Sequence, residues 1–187
     1  CQGRLMNSAL IAHEEFTDRA ARIRLVCFDV DGTLTDGRLF FDEQGGELKA
    51  FHVHDGQGLR LLEDAGIAVA LITARESQIV RTRGRDLRLK HVFAGVHNKL
   101  QVLNELCRSE SIALAEVAYM GDDYPDLACM QSVGLAACPK DAVAVIQQHV
   151  HWQSDFIGGG GAARQFCDAI LLAQNRQSAL LAQYSAP

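Results

Sequence analysis

The chain of 187 residues predicts an α/β fold: a Rossmann-like, three-layer α/β/α arrangement around a mainly parallel sheet. Three observations carry that expectation. Short apolar runs alternate with segments of helical apolar spacing, the rhythm of buried parallel strands joined by crossover helices. Two of the runs lead straight into aspartates, which puts charge at the carboxyl end of a strand, where open parallel sheets bind ligands. Composition then sets the scale: 48% hydrophobic residues, 22% charged residues and a formal charge of -5 describe a mildly acidic globular protein with a single domain over 1–187.

Taken in order, the segment from Ser8 to Arg22 carries Leu10, Ile11, Phe16 and Ala20 among polar residues and reads as an amphipathic opening helix outside the core. The residues before Met6 read as an addition to the natural chain. The expected strands are Leu25 to Phe28, Val69 to Ile72, His91 to Ala94, Val117 to Met120 and Val133 to Ala137. One segment breaks the rhythm: Arg38 to Phe41 and Glu47 to Val53 flank Asp42-Glu43-Gln44-Gly45-Gly46, the signal of a β-hairpin protruding over about 38–53. Leu39 with Phe41 and Phe51 with Val53 alternate along it. So short an insertion leaves them little cover, and another subunit is the expected lid; the alternative is a hairpin folded back on its own domain. Gly158 to Gly161 reads as flexible and opens a glycine-rich tail from about 158, followed by a closing helix or pair of helices over Ala162 to Tyr184.

Composition also excludes partners. The composition shows no basic footprint for nucleic acid, and, with neither a long uncharged apolar segment nor a charged-apolar-small signal in these residues, the protein is expected neither to span nor to cross a membrane. The six cysteines (Cys1, Cys27, Cys107, Cys129, Cys138 and Cys167) lie in apolar surroundings without metal-ligand spacing. They read as buried free thiols in a cytoplasmic protein.

The chemistry begins at Asp29-Val30-Asp31-Gly32-Thr33-Leu34-Thr35, directly after the first strand. Residues two apart in an extended segment point to one side, and the Gly-Thr that follows bends the chain, so Asp29 and Asp31 face one small volume. At ~4 Å and an effective dielectric of ~20, like charges repel by roughly 4 kcal/mol, so the cluster calls for a metal, a lysine or protons. The stretch Val117 to Asp126 repeats the design, with Asp122 right after a strand. Asp29, the main-chain carbonyl of Asp31 and Asp122 make a small oxygen set that suits octahedral Mg²⁺ better than Ca²⁺. Asp123 or Asp126 is expected to cap the following helix.

Two further elements complete the set. In Leu71-Ile72-Thr73-Ala74-Arg75 a buried strand delivers a hydroxyl suited to a phosphoryl oxygen and a guanidinium suited to a bidentate anion. Thr73 also stands where a helix N-cap would, three residues before Glu76. Lys99 opens a helical pattern, where a cation opposes the helix dipole, so either an inward task beside the acids or an ordinary solvated lysine accounts for it.

These residues carry a resemblance. D-V-D-G-T-L-T, the threonine of L-I-T-A-R, Lys99 and G-D-D-Y-P-D resemble, in order, the four motifs of the haloacid dehalogenase superfamily of phosphotransferases. Asp36-Gly37, F-H-V-H-D-G-Q-G from Phe51 to Gly58 and G-G-G-G-A-A-R-Q from Gly158 to Gln165 are similar to the 3-deoxy-D-manno-octulosonate 8-phosphate phosphatase family. The resemblance implies a capless (type C0) Mg²⁺-dependent phosphomonoesterase of lipopolysaccharide precursor synthesis, a homotetramer with hairpins around its axis. It implies Asp29 as nucleophile, Asp31 as acid and base, Thr73 and Lys99 on the phosphoryl oxygens, and Mg²⁺ at Asp29, Asp31 and Asp122. It further implies a neighbour's glycine-rich tail over the site, with Arg164 beside Arg75 as anion contacts and Gly32 and Asp123 completing the substrate-binding set. For His52 and His54 the expectation is packing on the hairpin surface. This chain has His54, Ala74 and Gln165 where relatives often carry Arg, Gly and Glu, which leaves the choice between an eight-carbon and a nine-carbon acid sugar open.

Two rivals from other classes fit less well. A signalling receiver domain also groups acids, a threonine and a lysine around Mg²⁺, but its acid pair comes first and its phosphoacceptor later, and it has no use for Asp31. An assembly module without activity would not need Asp29, Asp31, Thr73, Lys99 and Asp122 together.

Overall fold

A computed structural model describes residues 14–185. The first part of the expected opening helix, Cys1 and the residues before Met6 lie outside these. A helical stretch over 14–20 (α1) leads into β1 (Leu25–Phe28). Then come β2 (Phe40–Phe41), β3 (Glu47–Leu48), α2 (Val53–Asp64), β4 (Ala68–Ile72), α3 (Gln78–Asp86), β5 (His91–Phe93) and α4 (Lys99–Glu110). The second half runs β6 (Val117–Met120), α5 (Leu127–Met130), β7 (Leu135–Cys138), α6 (Ala144–Gln147), β8 (Trp152–Gln153), α7 (Ala162–Ala173) and α8 (Gln177–Ser185).

The expected α/β architecture holds: a six-stranded sheet in the order β5-β4-β1-β6-β7-β8, parallel throughout. Alternation in β1 explains the three layers. Val26 and Phe28 face a cluster with Leu59 and Leu62 of α2 and Phe166 and Ile170 of α7, while Leu25 and Cys27 face Leu103 of α4, Met130 of α5 and Ile146 of α6. All of these are buried, so a strand of four apolar residues is satisfied on both faces.

Three expectations need correction, and one strand was not foreseen. The strand expected from Val133 begins at Leu135, because the Gly134 amide is committed to Leu114 O instead. The edge strand β8 gave no sequence signal, since Trp152–Gln153 is too short to show a period. The hairpin pairs only Phe40 with Leu48 and Phe41 with Glu47, and Val53 belongs to α2 rather than to a strand. The expected flexible tail from 158 is instead packed on its own chain: the Gly159 amide donates to Thr33 O at 3.1 Å and the Gly158 amide to Asp141 Oδ1 at 2.9 Å. A Cβ at Gly158 would sit 1.9 Å from Gly32 O, so glycine is what lets the tract lie against the loop after β1.

The closing segment is a pair of helices, α7 and α8, as one of the two expectations had it. Asp55 of α2 accepts from the Gly161 and Arg164 amides at 3.3 and 2.8 Å, satisfying the open donors at the start of α7. Cys27, Cys107, Cys129, Cys138 and Cys167 are free and buried. Among the described residues, no helix is long and apolar enough to cross a membrane.

Candidate active site

Strands β4, β1 and β6 are neighbours in the sheet, so the residues that follow them meet at one edge. Asp29 follows β1, Thr73 follows β4 and Asp122 follows β6 after Gly121. The turn after Asp29 is closed by Val30 O, which accepts from the amides of Leu34 and Thr35 at 2.9 and 3.0 Å. Gly32 takes φ +94°, and a Cβ there would lie 2.1 Å from Asp122 Oδ2. Both the backbone angle and the approach of the carboxylate therefore demand glycine.

Asp29, Asp122 and Asp126 each bring a carboxylate oxygen within 4.8 Å of the others. Lys99, the first residue of α4, is buried against them: its Nζ donates to Asp29 Oδ1 at 2.6 Å and to Asp126 Oδ1 at 2.7 Å. The Tyr119 hydroxyl also donates to Asp126 Oδ1, at 2.8 Å, while Asp126 Oδ2 accepts from the Asp122 amide at 3.2 Å. Thr33 donates to Asp122 Oδ1 at 3.2 Å. Of the two open readings of Lys99, the inward one is the structure.

Three carboxylates facing one ammonium leave excess negative charge, and the protonation equilibria register it. Burial, then Asp126, push Asp29 well above the ordinary carboxylate range against the pull of Lys99. Burial and Asp126 raise Asp122 to about 6. Lys99 loses to burial but gains more from Asp29 and Asp126, so its ammonium form is held above its usual range. The donor set is all oxygen, partly unneutralised and anchored on rigid strand ends, which fits a hard divalent cation.

Not every expected residue joins this cluster. The carboxylate of Asp31 turns instead to Lys49 on the hairpin, with which it is ion-paired. Thr73 is buried, and its Oγ1 accepts from the Arg75 amide at 3.4 Å. It does not cap a helix: α3 starts later, with Ser77 as its N-cap. Arg75 donates to Glu47 Oε1 at 3.0 Å. Asp123 caps the turn Tyr124–Asp126 by accepting from the Tyr124 amide at 2.8 Å. Arg164 points elsewhere, its Nε paired with Asp168 at 2.8 Å along a groove shared with Gln57 and Tyr184. His52 and His54 pack edge to face, with ring centroids 5.2 Å apart.

Sequence reasoning missed Lys49 and Glu47 and treated Asp126 as a cap alone. Strand alternation through Glu47-Leu48-Lys49 was the available signal for the first two, since it sets both charges on one face. Asp126 is a buried acceptor for four donors, which nothing local in the sequence reveals.

No protein-family model matches the chain. The curated 3-deoxy-D-manno-octulosonate 8-phosphate phosphatase of Yersinia pestis is 40% identical over 163 residues, 87% of each chain. A solved structure from Legionella pneumophila, described as a subfamily III A hydrolase of the haloacid dehalogenase superfamily, superposes with TM-score 0.92 at 39% identity, covering 95% of this chain and 97% of that one. The 3-deoxy-D-manno-octulosonate 8-phosphate phosphatase of Moraxella catarrhalis, solved with magnesium, phosphate and the sugar acid, superposes with TM-score 0.88 at 36% identity, covering 91% and 98%. The strand-end aspartates, the buried lysine and these likenesses over most of the chain agree: the protein belongs to the haloacid dehalogenase superfamily, in its 3-deoxy-D-manno-octulosonate 8-phosphate phosphatase family.

Proposed function

We propose that this chain hydrolyses the phosphate monoester of a small acid sugar, 3-deoxy-D-manno-octulosonate 8-phosphate foremost, in lipopolysaccharide precursor synthesis. The observation that carries the reading is Asp29 at a strand end, paired at 2.6 Å with a buried lysine and flanked by two further carboxylates. A carboxylate so placed, unlike a surface one, has its charge managed rather than solvated.

In the first step a carboxylate oxygen of Asp29 forms a bond to phosphorus as the bond to the sugar oxygen breaks, and Asp31 gives that oxygen its proton. In the second, water attacks the aspartyl phosphate at phosphorus, Asp31 takes the proton, and inorganic phosphate leaves. Thr73 and Lys99 hold the phosphoryl oxygens through hydroxyl and ammonium donors. Asp29, Asp122 and the main-chain carbonyl of Asp31 would hold Mg²⁺, which when bound neutralises charge on the transferring group. Asp126, already saturated by Lys99, Tyr119 and amides, acts behind them.

Arg75 and the main chain at Gly32 carry the substrate contacts in this reading. Asp123 is engaged as a cap, and Arg164, like Arg75 itself, is ion-paired on its own chain, so a substrate contact by Arg164 would be made at a neighbour's site and one by Asp123 beside its capping role. Assembly as a homotetramer through the hairpin is supported by exposed Leu39, Phe40, Phe41 and Leu48, and a cytoplasmic setting by the buried free thiols.

The test is phosphate release with Mg²⁺ from the eight-carbon acid sugar phosphate, a nine-carbon analogue and phosphates of neutral sugars. Preference for the eight-carbon acid is expected. Preference for the nine-carbon acid would move the substrate, preference for neutral sugars would remove Arg75 as a clamp, and a stable phosphoprotein without turnover would favour a receiver.

A further inference from the structure

Around the short strand β3, charged and apolar side chains alternate between the two faces. The side chains of Glu47 and Lys49 turn inward, 16% and 1% exposed, while Leu48 between them is 66% exposed. A lysine ammonium is buried only where acceptors compensate the lost water. Here there are two: Lys49 is ion-paired with Oδ1 of Asp31, and its Nζ lies 3.3 Å from Glu47 Oε1. Glu47 in turn pairs with Arg75 at 3.0 Å, so charge alternates along Arg75, Glu47, Lys49 and Asp31. The other oxygen of that last carboxylate, Asp31 Oδ2, is shut off from solvent and has no hydrogen-bond partner. It is the only such carboxylate oxygen among the described residues.

We propose that Lys49 is a positioning residue for proton transfer: its ammonium occupies Oδ1 of Asp31, so that the transferable proton is carried on Oδ2, and Glu47 fixes the lysine by tying it to Arg75. The inference rests on the phosphatase reading of the site. An ammonium only donates, so the oxygen facing it must accept, and a carboxyl group in that position bears its hydrogen on the other oxygen. In the first step the Oδ2–H bond breaks and the proton passes to the departing sugar oxygen as its bond to phosphorus breaks. In the second, Oδ2 takes a proton from the water whose oxygen bonds to phosphorus. Lys49 keeps its protons throughout. The hairpin thus serves the catalytic centre of its own chain, imposing one orientation on a side chain 18 positions earlier.

Lys49→Met, Glu47→Gln, Asp31→Asn and the double variant Lys49→Met/Asp31→Asn test this on two esters with Mg²⁺. One is 3-deoxy-D-manno-octulosonate 8-phosphate, whose leaving oxygen needs a proton. The other is p-nitrophenyl phosphate, whose leaving group departs without one, followed by its first-turnover burst. Lys49→Met is expected to lower kcat on the sugar ester by about 100-fold and the aryl burst by about tenfold less than that. In the Asp31→Asn background it should add less than about threefold, because it acts through that carboxylate. Glu47→Gln should show the same ester dependence at smaller size, and it carries the test alone if Lys49→Met does not fold. Equal losses on both esters, or full additivity with Asp31→Asn, would overturn the proposal. Absence of phosphate release by the unmodified protein from both esters would instead sink the phosphatase reading, and the proposal with it.

Discussion

Lys99 Nζ lies 2.6 Å from Asp29 Oδ1, which joins the first residue of helix α4 to the first residue beyond strand β1. The same nitrogen reaches Asp126 at 2.7 Å, so one buried ammonium serves the proposed nucleophile and the carboxylate behind it. A helix N-terminus repels a cation. The two aspartates outweigh that repulsion, and the position makes sense only with them in place.

Removing this charge should therefore cost stability. Lys99→Met leaves three clustered carboxylates without their ammonium, and a loss of about 3–5 kcal/mol is expected at neutral pH without metal. Urea unfolding measures it. Part of the loss should return with Mg²⁺, and an equal deficit with and without Mg²⁺ would count against a cation site here.

The acid cluster also sets a pH dependence. Asp122 is raised to about 6 and Asp29 lies well above its ordinary range, so in the metal-free protein both hold protons more firmly folded than unfolded. Both contributions to stability are full below about pH 4; that of Asp122 is lost as pH rises through about 6, and that of Asp29 as pH rises through its own raised value. In the proposed site Mg²⁺ competes for the same oxygens. Its effect on Tm should accordingly be large at pH 7.5 and shrink toward pH 5, as differential scanning calorimetry would record.

Gly32→Ala joins two conflicts, a φ of +94° and a Cβ 2.1 Å from Asp122 Oδ2. Strain of about 1–3 kcal/mol is expected. Because the collision displaces a carboxylate of the proposed cation site, the Mg²⁺ concentration for half-activation should rise about tenfold or more. Titration calorimetry with Mg²⁺ alone separates the two effects, and unchanged affinity would mean that Asp122 is not a ligand.

Much of the site was legible because its parts are local. A strand of four apolar residues followed at once by Asp29, and another followed by Gly121 and Asp122, announce themselves without any knowledge of the fold. Parallel pairing of β1 with both β4 and β6 then brings those ends together. What stayed hidden depends on how segments fold back. Lys49 reaches Asp31 only because the hairpin leans inward, and the glycine tract meets Gly32 only because α7 is anchored by Asp55. Thr73 looked like a cap because its spacing to Glu76 fits one; the helix begins beyond Ser77.

The central claim is that the carboxylate of Asp29 is transiently phosphorylated. Acid-quenching the protein during turnover of 3-deoxy-D-manno-octulosonate 8-phosphate with Mg²⁺, followed by peptide mass spectrometry, tests it most directly. The expected result is a phosphoryl group on the peptide bearing Asp29, absent from Asp29→Asn, whose phosphate release falls by about 10⁴-fold or more. Undiminished release by Asp29→Asn, or a phosphoryl group on another residue, would contradict it.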